Sequence, residues 1–327
     1  MSSEQPEPVP AVAIVVLNWR QAEVTVRCLA SLAQLRTAAR LHLVLVDNES
    51  TCEGSQALLS KLKALQGGGR FTSAALLATD NNLGFAAGMN LGLAYARSSH
   101  SPDYYWLLNN DIEVEPDALG VLLAAAEAHP DWGAIGACIN GELNHGATLY
   151  GGYRYQPWSS RIQPCYRLED RPDYLAGAAL FLREAMLQQV GLLDEGYFLY
   201  CEEIDLARRY QAAGWAHGCA PKAKWWHHSA RSTSAASPLP GRSPGWAREY
   251  FENRSALRFT WRHHRRWWPV LLMVRGAAKL ALAALGKRHF GAFVRAVLSF
   301  NRPLPQYSQS ARIIHESAFD ERESTRA

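Results

Sequence analysis

The sequence predicts an α/β fold: a mostly parallel sheet flanked by helices, with a basic helical C-terminal extension. Three observations carry that expectation. Short apolar, β-branched runs alternate four times with amphipathic segments in the N-terminal half. Those runs end in, or just before, polar residues. Beyond Asn253 the chain turns uniformly basic and aromatic. Alternation of this kind is the signature of parallel strands joined by helical crossovers.

The elements follow in order. "AVAIVVLN" (Ala11 to Asn18) is a continuous apolar run, as in a strand buried on both faces. Glu23 to Leu35 sets Val24, Leu29, Leu32 and Leu35 at helical spacing. "LHLVLVDN" (Leu41 to Asn48) is the second strand, Ser55 to Leu65 the second helix, "SAALLAT" (Ser73 to Thr79) the third strand and Ala86 to Arg97 the third helix. "YYWLLNN" (Tyr104 to Asn110) is the fourth strand, after which Pro116 opens a helix in its first turn and runs to about His129. "WGAIGACI" (Trp132 to Ile139) follows, then a segment rich in Gly, Tyr, Pro and Trp (Gly141 to Asp173) that reads as loops over a site. "AALFLR" is a strand, and Glu184 to Val190 and Glu203 to Ala213 are helices. Ser229 to Gly245 is a linker or lid, and Trp246 to Phe300 reads as basic helices.

Composition narrows the class. An apolar fraction of 48% and a charged fraction of 20% are ordinary for a globular protein, so disorder is expected only at the ends, residues 1–10 included. The start, "MSSEQPEPVP", has no basic region leading into an apolar one, and a cytoplasmic protein is expected. The six cysteines form no C-x-x-C pair, which argues against a zinc site and a disulfide framework. The net charge of +4 is small, but no Asp or Glu falls between Asn253 and His315. That asymmetry points to an anionic partner, membrane lipid or nucleic acid. Arg275 and Lys279 interrupt "VLLMVRGAAKLALAALG", so this part is expected to lie on a membrane rather than cross it.

In open α/β sheets, ligands bind at the carboxyl ends of the strands. Asn18, Asp47 with Asn48, and Asn109 to Asp111 occupy such ends. Asp111 has two readings, a turn or cap residue and a metal-binding carboxylate. "CEEIDLARR" (Cys201 to Arg209) reads as a solvated helix start or as a source of acid–base chemistry, and "WWHH" as ordinary histidines or as a ligand. "NNLGFAAGMN" lacks the G-x-G-x-x-G spacing of a dinucleotide fingerprint. Together, a strand-end aspartate, a later acidic pair and a histidine are what metal-assisted transfer of a group from a diphosphate needs. A divalent cation offsets charge on the leaving diphosphate, and a carboxylate takes the proton of the attacking hydroxyl. Mg2+ or Mn2+ suits such oxygen ligands with one imidazole.

Seven segments resemble, in order, the inverting glycosyltransferases of family 2, which have the GT-A fold, and within them the rhamnosyltransferase-like branch. They are "IVVLNW", "LVLVDNES", "NLGFAAGMN", "WLLNND", "YLAGAALFLRE", "VGLLDEGYFLYCEEIDLARRYQAAGW" and "WHHSARST", spread over residues 11 to 260. The resemblance implies a transferase domain over 11–245, with a nucleotide-sugar-binding half at 11–140 and an acceptor-binding half at 141–245. A basic helical segment covers 246–327. Asn18 and Asp47 would hold base and ribose, with Leu17 on the same edge. Asn82, Gly84 and Asn90 would close over nucleotide and phosphates. Asn109, Asn110 and Asp111 occupy the D-x-D position. Its first acid is Asn109 here, so metal binding would rest on Asp111, with His227 rather than His228 as the second ligand. The general base falls on Glu203, where the family pattern has Asp, and Glu202 is the fallback. Asp205 and Arg208 would hold the motif in place, and Asp194 and Gly177 would lie on the acceptor side.

The donor implied is a nucleotide sugar, dTDP-L-rhamnose first and UDP-sugars next, and the acceptor a saccharide or a lipid-pyrophosphate-linked saccharide of cell-surface polysaccharide synthesis. Arg265, Arg266, Trp267 and Trp268 beside apolar stretches read as a peripheral membrane anchor, against a helical cap that packs on the domain and forms a homodimer. A nucleotidyltransferase would want a glycine-rich loop after the first strand, and "LNWRQAE" has no glycine. A nucleic-acid binder would show a recognisable motif in the basic tail, and none is there. A non-catalytic nucleotide-sugar binder is permitted by the loss of the first D-x-D acid.

Overall fold

The computed structural model describes residues 9–50, 52–140, 148–167, 169–227, 237–286, 289–304 and 311–318. The expected alternation is present: β1 (Ala11–Asn18), α1 (Ala22–Leu32), β2 (Arg40–Asp47), α2 (Cys52–Gly67), β3 (Ser73–Thr79), α3 (Phe85–His100) and β4 (Tyr104–Asn109). β2, β1 and β4 pair in parallel at the centre, and β3 adds in parallel beyond β2. Odd and even residues of β1 enter different cores. Val12, Ile14 and Val16 pack with α1 and α2, while Ala13, Val15 and Leu17 pack with α3. Burial on both faces is why the strand sequence is continuously apolar rather than alternating.

The second half adds β5 (Ile112–Val114), α4 (Ala118–Ala128), β6 (Trp132–Asn140), β11 (Ala179–Arg183), α5 (Glu184–Val190), α6 (Glu202–Ala212) and β12 (Ala216–His227). The main sheet continues from β4 through β11, β6 and β12 to β5, with β11 and β5 antiparallel to their neighbours. Three C-terminal helices, α7 (Pro244–His263), α8 (Trp268–Ala284) and α9 (Phe290–Ser299), share a third core around Tyr250, Phe251, Leu257 and Leu271.

Four points differ from or add to the sequence reading. Pro116 does not open α4: the helix starts at Ala118, and the Pro116 carbonyl accepts the Arg36 amide at 2.7 Å. The loop expected over 141–173 contains β7 (Leu149–Tyr150), paired with β6, and β8 (Gly152–Gln156) and β9 (Arg161–Pro164), which form a small antiparallel sheet with β10 (Tyr174–Leu175). Its residues alternate, Tyr155 buried beside exposed Arg154, which composition concealed. Third, "AHGCAPKAKWWH" is the long strand β12, whose end alternates buried Ala223 and Trp225 with exposed Lys224 and Trp226. Fourth, the C-terminal segment is not wholly helical: β13 (Ala311–Ala318) adds antiparallel to the edge of β3. Residues 1–8, and 229–236 of the proposed linker, lie outside the described residues.

Close approach of α3 to the sheet depends on Gly92. A Cβ there would meet Val15 Cγ1 at 2.4 Å and Val46 Cγ2 at 3.1 Å. Gly92→Ala should therefore lower unfolding stability by about 1 to 3 kcal/mol, read as a lower urea midpoint with an unchanged denaturant slope.

Candidate active site

The strand ends meet at one level. Register pairs Asn18 with Asp47 across β1 and β2, and Leu17 with Asn109 across β1 and β4. A cavity of about 400 Å³ opens there, lined by Leu17, Asn82, Gly84, Asn109, Asn110, Asp111, Gly177, Glu202, Glu203 and His227 among the residues singled out from the sequence.

Four others are placed elsewhere. Asn18 and Asp47 lie beneath the cavity, not in its wall: Asn18 Nδ2 donates to Asp47 Oδ1 at 2.7 Å, and Ser55 Oγ donates to Asp47 Oδ2 at 2.8 Å. The pair ties the ends of β1 and β2 together. Asn90 points to the segment before α6, its Nδ2 donating to the Leu193 carbonyl at 2.9 Å and its Oδ1 accepting the Leu193 amide at 3.1 Å. Asp194 pairs with Arg258 (3.2 Å) and Arg262 of α7. His228 lies outside the described residues.

Asp111 follows β4 in the turn before β5. β12 pairs antiparallel with β5, setting His227 opposite Ile112, the residue after Asp111. His227 Nε2 and Asp111 Oδ1 are 3.2 Å apart, both buried, and neither has a hydrogen-bond partner among the described residues. Two orphaned ligand atoms at that separation fit a divalent cation with an oxygen and imidazole preference. No cluster of three or more His, Cys, Asp or Glu suited to a metal occurs among the described residues, so this pair would leave the remaining positions to water or substrate.

Immediately before α6, Tyr200 and Cys201 both have positive φ, 71° and 69°. For non-glycine residues this is a sparsely populated conformation, and it delivers Glu202 and Glu203 into the cavity as the first residues of the helix. Burial and the neighbouring Glu203 carboxylate hold Glu202 well above the ordinary carboxyl range. Burial likewise raises Glu203, against backbone donors at the helix start. Gly177 leaves Glu203 its room, since a Cβ there would sit 3.3 Å from Glu203 Cβ. Tyr153, also in the wall, is pushed up to about 12 by burial and the Glu203 charge.

Asp205 anchors the acidic helix from behind. It is fully buried and accepts from His263 Nε2 (2.7 Å) and Arg209 Nε (2.9 Å), with Tyr197 Oη at 3.4 Å. Burial alone would raise its carboxyl. Hydrogen bonds from His263 and Arg209 and the charges of Arg209 and Arg262 pull it below the usual range instead.

Sequence reasoning gave Asn48 no role beyond its place at a strand end and passed over the wall residues Trp19, Phe198, Leu199, Tyr200 and Arg248. Asn48 was legible, standing beside Asp47 at the strand end. Its Oδ1 accepts the Leu83 amide at 2.8 Å and its Nδ2 donates to Asn82 Oδ1 at 3.1 Å, so it shapes the turn before α3. Gly84 ends that turn at φ 84°, where a Cβ would meet the Phe198 carbonyl at 2.5 Å. Arg248 comes from α7, after the last catalytic motif, with no local signal.

Residues 12–188 match the family described as Glycosyl transferase family 2. The chain belongs to glycosyl transferase family 2. Within this family it is 31% identical over 282 residues to the N-acetylglucosaminyl-diphospho-decaprenol L-rhamnosyltransferase of Mycobacterium tuberculosis, covering 78% of this chain and 86% of that protein. It is 25% identical to rhamnosyltransferase WbbL of Escherichia coli over 40% of this chain and 55% of that one. The GT-A fold is shared with S. aureus TarS solved with UDP-GlcNAc (TM-score 0.58, 13% identity, 90% of this chain and 82% of that one). It is shared too with the mannosyltransferase PcManGT of Pyrobaculum calidifontis, solved with GDP-Man and Mn2+ (TM-score 0.51, 15% identity, 91% and 83%). The chain is thus a rhamnosyltransferase-like family 2 glycosyltransferase.

Asp205 supplies a test of the scaffold. Its lowered carboxyl stabilises the fold above the ordinary Asp range, and that contribution is lost as pH falls through the folded value. Asp205→Ala removes the buried acceptor shared by half-buried Arg209 and His263 and should cost about 2 to 3 kcal/mol at pH 7. Urea unfolding at pH 7 and pH 3 should show the difference from wild type shrinking at the lower pH.

Proposed function

We propose that this chain is a metal-dependent, inverting glycosyltransferase that moves L-rhamnose from a nucleoside diphosphate donor, dTDP-rhamnose first, to a saccharide carried on a lipid diphosphate. The observation that carries the reading is one cavity holding both the Asp111–His227 pair and the buried Glu202–Glu203 pair. The relative from M. tuberculosis, named as an L-rhamnosyltransferase acting on N-acetylglucosaminyl-diphospho-decaprenol, supports the choice of sugar and acceptor. The solved neighbours bound to nucleotide sugars support the donor class.

In this reading, the Asn48–Asn82 turn and Leu17 seat the nucleotide, and Asp111 and His227 hold Mg2+ or Mn2+. The ion would offset negative charge on the diphosphate. Glu203, in its deprotonated form, accepts the proton of the acceptor hydroxyl. The hydroxyl oxygen bonds to the anomeric carbon from the face opposite the diphosphate, the bond from that carbon to the diphosphate oxygen breaks, and its electron pair leaves with the nucleotide. One displacement inverts the configuration and requires no covalent enzyme intermediate. Residues 11–245 form the transferase, working on the cytoplasmic side of a membrane that carries the acceptor.

Two experiments test the roles. Asp111→Ala and His227→Ala should each abolish stabilisation by Mn2+ plus nucleotide sugar in a thermal-shift screen of dTDP-rhamnose, UDP-GlcNAc and GDP-mannose. No stabilisation of the wild-type protein by any of the three would defeat the reading. Glu203→Gln should retain donor binding and lose transfer by about 10²-fold or more; retained transfer would move the base to Glu202. The raised carboxyl also fixes a sign. The base works deprotonated, so the acid limb of kcat/KM should lie above the ordinary glutamate range of about 4.3, activity falling as pH drops through it.

A further inference from the structure

We propose that α8 and the basic turn before it dock this chain flat on an anionic bilayer, with the outer face of α8 seated in the interfacial region. The inference rests on the arrangement of charge on one helix and stands apart from the sugar-transfer reading.

A helix covering a globular domain turns apolar residues inward and charged ones outward. α8 reverses this. Its two charged residues, Arg275 and Lys279, face the protein: Lys279 pairs with Glu249 of α7, and Arg275 donates to Asn253 Oδ1 at 3.1 Å and to Ser160. From Pro269 to Gly286 every exposed position is apolar or glycine. Met273 is 66% exposed, Leu280 58% and Leu285 67%, and Leu298 of α9 adds a further 67%. An apolar face of this extent on a soluble chain marks a docking surface.

Its surroundings choose the occupant. Arg265 and Arg266 are exposed immediately before the helix, with Arg265 stacked over Trp261 at 4.2 Å and Arg266 at 5.8 Å from Trp267. The sequence supplies no carboxylate from Arg254 to Ile314 to oppose them. Arginine and tryptophan beside a wide apolar face suit the headgroup boundary of a membrane carrying negative charge.

The helix lies on the membrane rather than across it. Arg265–Ala284 is long and apolar enough to span by length and composition alone, with mean hydropathy 1.2 and 6% of it buried, contrary to the expectation that the two cations rule this out. Crossing would strip Lys279 from Glu249 and Arg275 from its partners and place both cations in hydrocarbon, at high cost. Leu271 of α8 shares a core with Phe198, Leu199 and Tyr200, which line the cavity immediately before Glu202. One packed layer therefore separates the docked face from the site.

Flotation of the full chain with phosphatidylcholine vesicles containing phosphatidylglycerol, and with pure phosphatidylcholine, tests this. Wild-type protein should bind the anionic vesicles, and less so as salt rises. Met273→Glu/Leu280→Glu, at exposed positions, should weaken binding at least about tenfold with the melting temperature unchanged. Should that variant fail to fold, Met273→Ser/Leu280→Ser gives the same reading. Arg265→Gln/Arg266→Gln should reduce the preference for anionic over neutral vesicles. Absence of binding, or binding untouched by the α8 variants, overturns the proposal. So does a wild-type dimer in light scattering that those variants convert to monomer without any vesicle binding, which would assign the face to a second copy.

Discussion

Parallel pairing of β1 with β2 on one side and β4 on the other sets the geometry of everything that follows. Parallel register leaves no freedom in where neighbouring strands end: Asn18 must stand beside Asp47, and Leu17 beside Asn109. Because both faces are buried, the strands are apolar until they emerge, and their polar residues appear together at one rim. The hydrogen bond from Asn18 to Asp47 locks two of the ends, and Asn48 carries the order outward into the turn before α3. A floor built this way fixes its polar groups through bonds within the protein.

Onto that floor the second half of the chain brings two kinds of charge by different means. His227 arrives by antiparallel pairing of β12 with the short strand after Asp111, a register effect. The glutamates arrive by a strained turn at Tyr200 and Cys201, and the strain is held by packing and by the buried hub at Asp205. The hub draws its donors from α6 itself and from α7, which ties the acidic helix to the C-terminal helices. Gly177 and Gly84 contribute by absence: each leaves space for a neighbour, Glu203 in one case and the Phe198 carbonyl in the other.

The C-terminal helices show how charge and burial trade roles. Lys279 and Arg275, which interrupt the apolar stretch in sequence, are satisfied by Glu249, Asn253 and Ser160. Separating buried cations from such partners leaves an uncompensated charge and is costly, so they pin α8 to the domain. With its charges spent inward, the outward face keeps only apolar residues.

The central strands and their helices were legible from Ala11 to Asn109, because double-sided burial and helical spacing each leave a periodic mark on local sequence. Motif order identified the family, and the residues at Asn109 to Asp111, Glu202, Glu203 and His227 could be named one by one. β8 to β10 and β12 were not legible, since their strands are held by partners distant in the chain rather than by local propensity. The same reason governs the site. Sequence alone marked Asp111 and His227 as candidates, but the 3.2 Å between them exists only because β12 pairs with β5. Asn18, Asp47 and Asn90 were read as ligand-facing and spend their side chains within the protein, because burial obliges polar groups to find partners there. Which face of α8 carries its cations was likewise settled only by Glu249, Asn253 and Ser160, residues that folding brings beneath it.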